Sequence, residues 1–226
     1  MVAHEFNNIL TPVLNYAQMA MTGNEAMRDK AIQRAYEGAV RAGSICQALL
    51  DMAGNGSDKP RRVSLQELVE NTLAVMGRDP AKDGIRLVKK VPADLKITTR
   101  PAELKQVLLN LLLNAHQAVL VKGRGKSISI TAARSNGPVR IRVADTGAGI
   151  PREDLGRIFD PFFTTKGDTG SGLGLAVSRE IVESLRGRLT VRSEPGKGTC
   201  FTIVLPANGK AAAPARQRRK SAARSG

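Results

Sequence analysis

The chain has 226 residues, of which 42% are hydrophobic and 3% aromatic, so it has room for one ordinary domain, a smaller module and an aliphatic core. No apolar run approaches the roughly 20 residues that cross a bilayer, and the opening residues lack a signal peptide, so we expect a cytoplasmic protein without a membrane segment. The formal net charge of +15 is not accompanied by interleaved aromatic residues, so nucleic acid is not the expected partner.

Apolar residues recur at helical spacing from the start of the chain, which predicts a first amphipathic helix. A second amphipathic stretch to about residue 53 follows a break at residues 22–24, which predicts a helical hairpin. Because two helices bury little surface by themselves, we expect the hairpin to pair with a second copy in a four-helix bundle, which makes the protein a homodimer. We assign residues 1–55 to the hairpin and the Gly-rich, polar residues 56–63 to a linker.

Helix and strand patterns then alternate over residues 64–207, which we assign to a second domain. They predict an α+β fold, a two-layer sandwich with helices on one face of a single sheet. Residues 208–226 combine Lys and Arg with Ala, Pro and Ser, which predicts a disordered basic tail whose role stays open. The predicted helices cover residues 64–76, 104–121 (beginning after Pro101) and 172–185, and the predicted strands cover residues 85–91, 127–133, 139–144, 188–192 and 199–205.

Two glycine clusters in this domain flank a segment rich in Gly, Thr and charge. Glycine allows a backbone to approach a ligand closely, and free N–H groups before a helix receive phosphate oxygens, so the clusters predict a nucleotide pocket with a flexible lid. Lys166 adds a charge within the lid. A dinucleotide-binding loop is disfavoured because no strand precedes the second cluster. The clusters are Asp145-Thr146-Gly147-Ala148-Gly149-Ile150 and Gly170-Ser171-Gly172-Leu173-Gly174-Leu175.

Polar residues beside the clusters suggest how a nucleotide is held. Asn110 and Asn114 lie one helical turn apart, and amide oxygens suit Mg²⁺, which keeps several waters and binds phosphates. Asp145 ends a strand, where its carboxylate can accept a hydrogen bond from an amine such as that of adenine. The alternative is an ordinary turn in which the aspartate bonds its own backbone.

Together these stretches resemble the signature boxes of sensor histidine kinases of two-component systems, over about residues 1 to 206. The resemblance implies a dimerisation and phosphotransfer hairpin followed by an ATP-binding domain of the Bergerat (GHKL) type. The matching segments are His4-Glu5-Phe6-Asn7-Asn8, Asn110-Leu111-Leu112-Leu113-Asn114-Ala115, Asp145 to Gly149, Phe159-Asp160-Pro161-Phe162-Phe163, Gly170 to Gly174, and Gly196-Lys197-Gly198-Thr199.

The resemblance also implies roles. His4 would be phosphorylated by ATP and would pass the phosphoryl group to the aspartate of a separate response-regulator receiver domain. Glu5 would orient the imidazole and accept its proton, and Asn8 would position water for dephosphorylating the partner. For the nucleotide, the resemblance implies that Asn114, with Asn110, binds Mg²⁺ and that Lys166 contacts a phosphate. It also implies that Asp145 recognises adenine with Thr199 nearby, and that Phe159 and Phe162 anchor the lid. The residues implied to shape the pocket are Gly147, Gly149, Ile150, Gly170, Gly172, Leu173, Gly174 and Leu175.

Two other functions stay open at this point. An ATP-hydrolysing member of the same fold would place a glutamate base where Asn110 stands, and fast ATP turnover independent of His4 would favour it. The second alternative is a dimeric scaffold or a degenerate kinase that binds nucleotide or nucleic acid without chemistry. The intact glycine clusters argue against degeneracy.

Overall fold

The structure is a computed structural model that describes residues 2–22, 27–29, 31–32, 34–35, 38, 59–76, 80–121, 125–134, 137–165 and 172–206, with the backbone alone for residues 2–10. Helix α1 spans Val2–Thr22. Residues 27–29, 31–32, 34–35 and 38 are also helical, and a Cβ atom at Gly38 would clash with the side chain of Val13. The two helical segments therefore pack together, as a hairpin requires. The predicted turn and most of the second helix lie outside the described residues.

The described residues of the second domain form one large sheet and one small sheet. The large sheet has the order β2-β4-β5-β7-β6, in which β2 and β4 are parallel and all other pairs are antiparallel. Strands β1 and β3 form a separate antiparallel pair. The strands are β1 Arg61–Ser64, β2 Arg86–Lys90, β3 Lys96–Thr99, β4 Ser127–Arg134, β5 Val139–Asp145, β6 Arg188–Glu194 and β7 Gly198–Leu205.

Three α-helices accompany these strands over residues 59–76, 80–121, 125–134, 137–165 and 172–206. Helix α2, Leu65–Val75, begins at Ser64, whose hydroxyl accepts the Glu67 amide at 3.4 Å, as in a capping box. Helix α3, Pro101–Leu120, has its proline in the first turn, where no helical hydrogen bond is lost. Helix α4 covers Gly174–Ser184, and a short 3₁₀ helix covers Pro80–Asp83. No helix in the described part of the chain combines the length and apolarity needed to cross a bilayer.

The core lies between the helices and one face of the large sheet. In β4, the buried Ile128, Ile130 and Ala132 alternate with half-buried polar residues, so this strand has one covered face and one more open face. Helices α3 and α4 pack on the covered face and on each other. The predicted α+β sandwich with helices on one face is confirmed. The α3 residues that share this core are Leu104, Val107, Leu108, Leu111, Leu112, Ala115 and Val119.

Two local expectations were wrong. Residues 61–63, assigned to the linker, belong to β1, and the pattern also did not reveal its partner β3. Both strands are only four residues long, and β1 has no buried residue, so neither shows clear apolar alternation. Helix α4 begins at Gly174 rather than at residue 172, because Gly172 has φ 66°, a left-handed conformation that a right-handed helix cannot include.

Candidate functional site

Three polar side chains form a row across neighbouring strands at one end of the large sheet. Asp145 ends β5, Thr199 lies beside it in β7, and Ser193 of β6 pairs with Thr199. The Asp145 Oδ1 atom accepts the amide of Thr199 at 3.2 Å and the amide of Gly147 at 2.8 Å. The second bond is the aspartate turn that the sequence allowed as an alternative. This turn also holds the carboxylate beside Thr199.

Backbone hydrogen bonds hold the turn after β5, residues 146–150, from two sides. The amide of Ala148 donates to the carbonyl of Ala118 near the end of α3, at 3.2 Å. Its carbonyl accepts the amide of Gly196, in the β6–β7 turn, at 2.7 Å. Backbone hydrogen bonds therefore hold this first glycine turn between a helix and a hairpin.

Two glycines permit that close packing. A Cβ atom at Gly147 would lie 2.5 Å from the backbone of Ala118. Gly149 has φ 74°, and a Cβ atom there would clash with the carbonyl of Glu194. At both positions another part of the backbone comes so close that a larger residue would distort the turn. This steric reason supports the predicted role of these glycines in shaping the site.

The predicted asparagine pair lies where α3 meets the start of α4. Asn110 Nδ2 donates to the Ser178 hydroxyl of α4 at 2.8 Å, and Asn114 Nδ2 lies 3.5 Å from Asn110 Oδ1. Gly174, the first residue of α4, leaves room for the Asn110 side chain, with which a Cβ atom would overlap. The asparagines and the second glycine cluster, far apart in sequence, are thus brought into contact.

A turn at Phe162 fixes the two ends of the segment predicted to be the lid. The Phe162 amide donates to the carbonyl of Gly172 at 3.1 Å, and a Cβ atom at Gly172 would overlap the Phe162 backbone. Phe162 has φ 68°, which is strained for a residue with a side chain, and its ring is 45% exposed. Phe159 packs against the core, with the Arg179 guanidinium 5.5 Å from its ring centre. Both phenylalanines therefore lie near the segment predicted to be the lid, and their role as anchors stays a prediction.

The other predicted pocket residues differ in their placement. Ile150 is half-buried and packs against the core, Leu173 is 7% exposed, and Leu175 is half-buried against the core. These three side chains therefore fix the backbone around the site. Lys166 and Gly170 lie outside the described residues.

The residues of the first matching segment, His4 to Asn8, are placed only as backbone. His4, Glu5 and Asn8 lie within α1. One helical turn separates His4 from Asn8, so the two residues share a side of the helix. Their side chains lie outside the described part of the structure, and their roles stay predictions.

Sequence reasoning missed two residues that tie the site together. Ser193 accepts the amide of Ile150 at 2.8 Å, and Ser178 holds Asn110. The available signal was phase: Ser193 continues the inward-facing alternation of Leu189 and Val191, and Ser178 lies in the apolar stripe of α4. A polar residue at an apolar phase indicates a bonded partner, because a buried hydroxyl without one is costly.

The oxygen donors of the site suit one class of metal. Among the described residues there is no group of three or more His, Cys, Asp or Glu side chains that could hold a metal ion. The amides of Asn110 and Asn114 instead supply neutral oxygens one turn apart on α3. Such a set fits Mg²⁺ bound mainly through substrate phosphates and water, with one or two protein ligands.

Comparison with known proteins is consistent across sequence and structure. Residues 99–209 match the family described as Histidine kinase-, DNA gyrase B-, and HSP90-like ATPase. The sensor histidine kinase ZraS of Klebsiella oxytoca is 38% identical over 215 residues, which cover 92% of this chain and 45% of that protein. The chain thus spans less than half the length of this curated relative.

Two solved structures extend the comparison. The catalytic domain of histidine kinase ThkA is 31% identical with a TM-score of 0.59, over 67% of this chain and 97% of that domain. A structure of ThkA in complex with the response regulator protein TrrA gives a TM-score of 0.71 at 25% identity, over 92% of this chain and 60% of that chain. The resemblance therefore includes both the helical segment and the sheet domain.

Proposed function

Because this chain belongs to the sensor histidine kinases that carry a GHKL ATP-binding domain, we propose that it phosphorylates His4 with ATP and passes the phosphoryl group to an aspartate of a separate response regulator. The observation that carries this proposal is that helix α3 contacts both glycine clusters. Its Asn110 packs against Gly174 and bonds Ser178 in α4. Its Ala118 accepts the amide of Ala148 in the turn that follows Asp145.

Each segment offers what one part of ATP requires. The carboxylate of Asp145, held by two backbone amides, is an acceptor for the amino group of adenine. The first turn of α4 carries N–H groups without partners in the helix, which favour phosphate oxygens. The first glycine turn adds backbone that a ligand can approach closely, because Gly147 and Gly149 carry no side chain. The substrate class that fits an adenine acceptor together with a phosphate-binding helix start is an adenosine triphosphate.

Asn114, with Asn110 beside it, would hold Mg²⁺ on the phosphates. Bound there, Mg²⁺ would neutralise the charge that develops on phosphate oxygens during transfer. Asn110 would act largely by positioning, since its amide nitrogen is bonded to Ser178 and its oxygen faces Asn114. This arrangement also argues against a hydrolase, because an amide at this position cannot take a proton from water.

The transfer itself is a displacement at phosphorus. A nitrogen of the neutral His4 imidazole attacks the terminal phosphorus, and an N–P bond forms as the bond to the bridging oxygen breaks. ADP leaves with that electron pair, and Glu5 accepts the imidazole proton. The phosphoryl group then passes to a carboxylate oxygen of the receiver domain, and the imidazole is regenerated.

The experiment that tests this proposal is incubation of the protein with γ-labelled ATP and Mg²⁺. We expect acid-labile label on the protein and little label with EDTA present. Release of labelled phosphate into solution without label on the protein would instead indicate an ATP hydrolase.

Asn8 is expected to serve dephosphorylation of the partner rather than kinase activity. Its amide would position water on the side of α1 that carries His4. We expect Asn8→Ala to retain self-labelling and to slow release of phosphate from a phosphorylated receiver domain by about 100-fold, the loss that follows when a reacting group is misplaced by about 1 Å. Unchanged release would contradict this role.

The protein is also expected to be a homodimer through its helical hairpin. Leu14 and Met21 of α1 are 68% and 82% exposed, which leaves apolar surface for a second copy. Multi-angle light scattering should give twice the chain mass of 24.1 kDa. A monomer at micromolar concentration would contradict the bundle.

A further inference from the structure

The hydroxyl of Ser193 lies within hydrogen-bond distance of three groups. The amide of Ile150 donates to it at 2.8 Å, the carbonyl of Gly198 lies 3.0 Å away, and the hydroxyl of Thr199 lies 2.9 Å away. A serine hydroxyl has one hydrogen and two lone pairs, so three contacts use its whole capacity. The direction of each bond can therefore be worked out.

Two of the three directions are fixed by the partner. An amide N–H can only donate, so Ser193 accepts from Ile150. A carbonyl can only accept, so Ser193 must give its hydrogen to Gly198, because otherwise two oxygens 3.0 Å apart would face each other with lone pairs alone. The third contact then requires Thr199 to donate to Ser193.

This assignment leaves Thr199 with lone pairs and no free hydrogen. Thr199 is 5% exposed and its amide donates to Asp145 Oδ1, so it forms the floor of the predicted adenine site. An acceptor oxygen there suits a base edge that carries an amino group. The 6-oxo group of inosine or guanine would instead meet lone pairs and be repelled.

We propose that Ser193 is a specificity-determining positioning residue, which turns the Thr199 hydroxyl into an obligate acceptor and so selects 6-amino purines over 6-oxo purines. This inference rests on the proposed ATP-binding function and adds a residue to it. Ser193 also ties the first glycine turn to the same point through Ile150, so base selection and turn position depend on one hydroxyl.

The test is the ratio of two binding constants, measured by calorimetry for ADP and inosine diphosphate. The wild-type chain should prefer ADP. In Ser193→Ala the Thr199 hydroxyl becomes free to rotate and donate to a 6-oxo group, so the preference should fall about tenfold, the value of one hydrogen bond. Ser129→Ala is the matched control: its hydroxyl contacts Ala144 on another strand at 3.5 Å, and the ratio should not change.

Two further variants keep the test decisive if Ser193→Ala fails to fold. Ser193→Thr retains the hydroxyl and should retain the preference for ADP. Thr199→Val removes the acceptor and should reduce the preference by a similar factor, and adding Ser193→Ala to it should change the ratio no further. Equal weakening of both nucleotides in Ser193→Ala, or an unchanged ratio in Thr199→Val, would overturn the assignment. A wild-type chain that binds neither nucleotide would overturn the proposed function itself.

Discussion

The His4→Gln variant is expected to take up no acid-labile phosphate from γ-labelled ATP, whereas His116→Gln retains labelling. The chain has only two histidines, so this pair tests every candidate for a phosphohistidine. Glutamine is polar and tolerated in helices, but its amide nitrogen is not nucleophilic, so the loss should reach the assay background. The label retained on the protein is measured after gel separation. The part of it that acid treatment removes is taken as phosphohistidine.

His116 makes a suitable control because its side chain is already engaged. Its Nε2 atom lies 2.9 Å from Asp83 Oδ2, and the imidazole is 16% exposed, so it joins α3 to the 3₁₀ helix. Its substitution should reduce stability without removing the acceptor. ADP binding should persist in both variants, which separates loss of the acceptor from loss of the pocket. Full labelling of His4→Gln would end the proposal that this residue carries the phosphoryl group.

The Asp145→Asn variant is expected to weaken ADP binding by roughly 10- to 100-fold, the effect of losing one charge-assisted hydrogen bond of about 1.5–3 kcal/mol. Asp145 Oδ1 accepts amides from two directions, Gly147 and Thr199. An asparagine has one oxygen and one NH₂ group. If its oxygen keeps both amides, a donor then faces the amino group of the base. If it turns over, the amides lose their acceptor. Either arrangement is worse than the carboxylate.

Binding calorimetry measures this loss, with Asp94→Asn as control. Asp94 is exposed in the turn between β2 and β3, carries the same change of charge, and lies outside the proposed site. Its substitution should leave affinity unchanged. If both variants bind ADP like the wild-type chain, Asp145 has only the structural role of closing its turn.

Sequence periodicity predicted the long elements of this fold well. The apolar stripe of α3, the antiparallel pair β4 and β5, and the final hairpin β6–β7 all follow residues with clear helical or alternating phase. The motifs also predicted which segments come together, since Asn110 does meet Gly174. The side chains of His4 to Asn8 lie outside the described residues, so their place beside this contact stays a prediction.

What periodicity did not reveal depends on contacts between distant residues. Strands β1 and β3 are short and pair only with each other, so neither has an apolar phase to detect. The roles of Ser178 and Ser193 arise from partners 68 and 43 residues away in sequence. The local phase indicates that each serine has a bonded partner but does not identify the partner. The left-handed φ of Phe162 is likewise set by its contact with Gly172 rather than by its own residue type.

That contact has a consequence for how such a domain can vary. The hydrogen bond between Phe162 and Gly172 joins the two ends of the intervening chain. The entropy of closing a flexible loop rises only with the logarithm of its length, by about 0.6 kcal/mol for each doubling. We therefore expect insertions between Phe162 and Gly172 to cost the surrounding scaffold little stability, as long as they spare Lys166 and Gly170, which the proposed site uses.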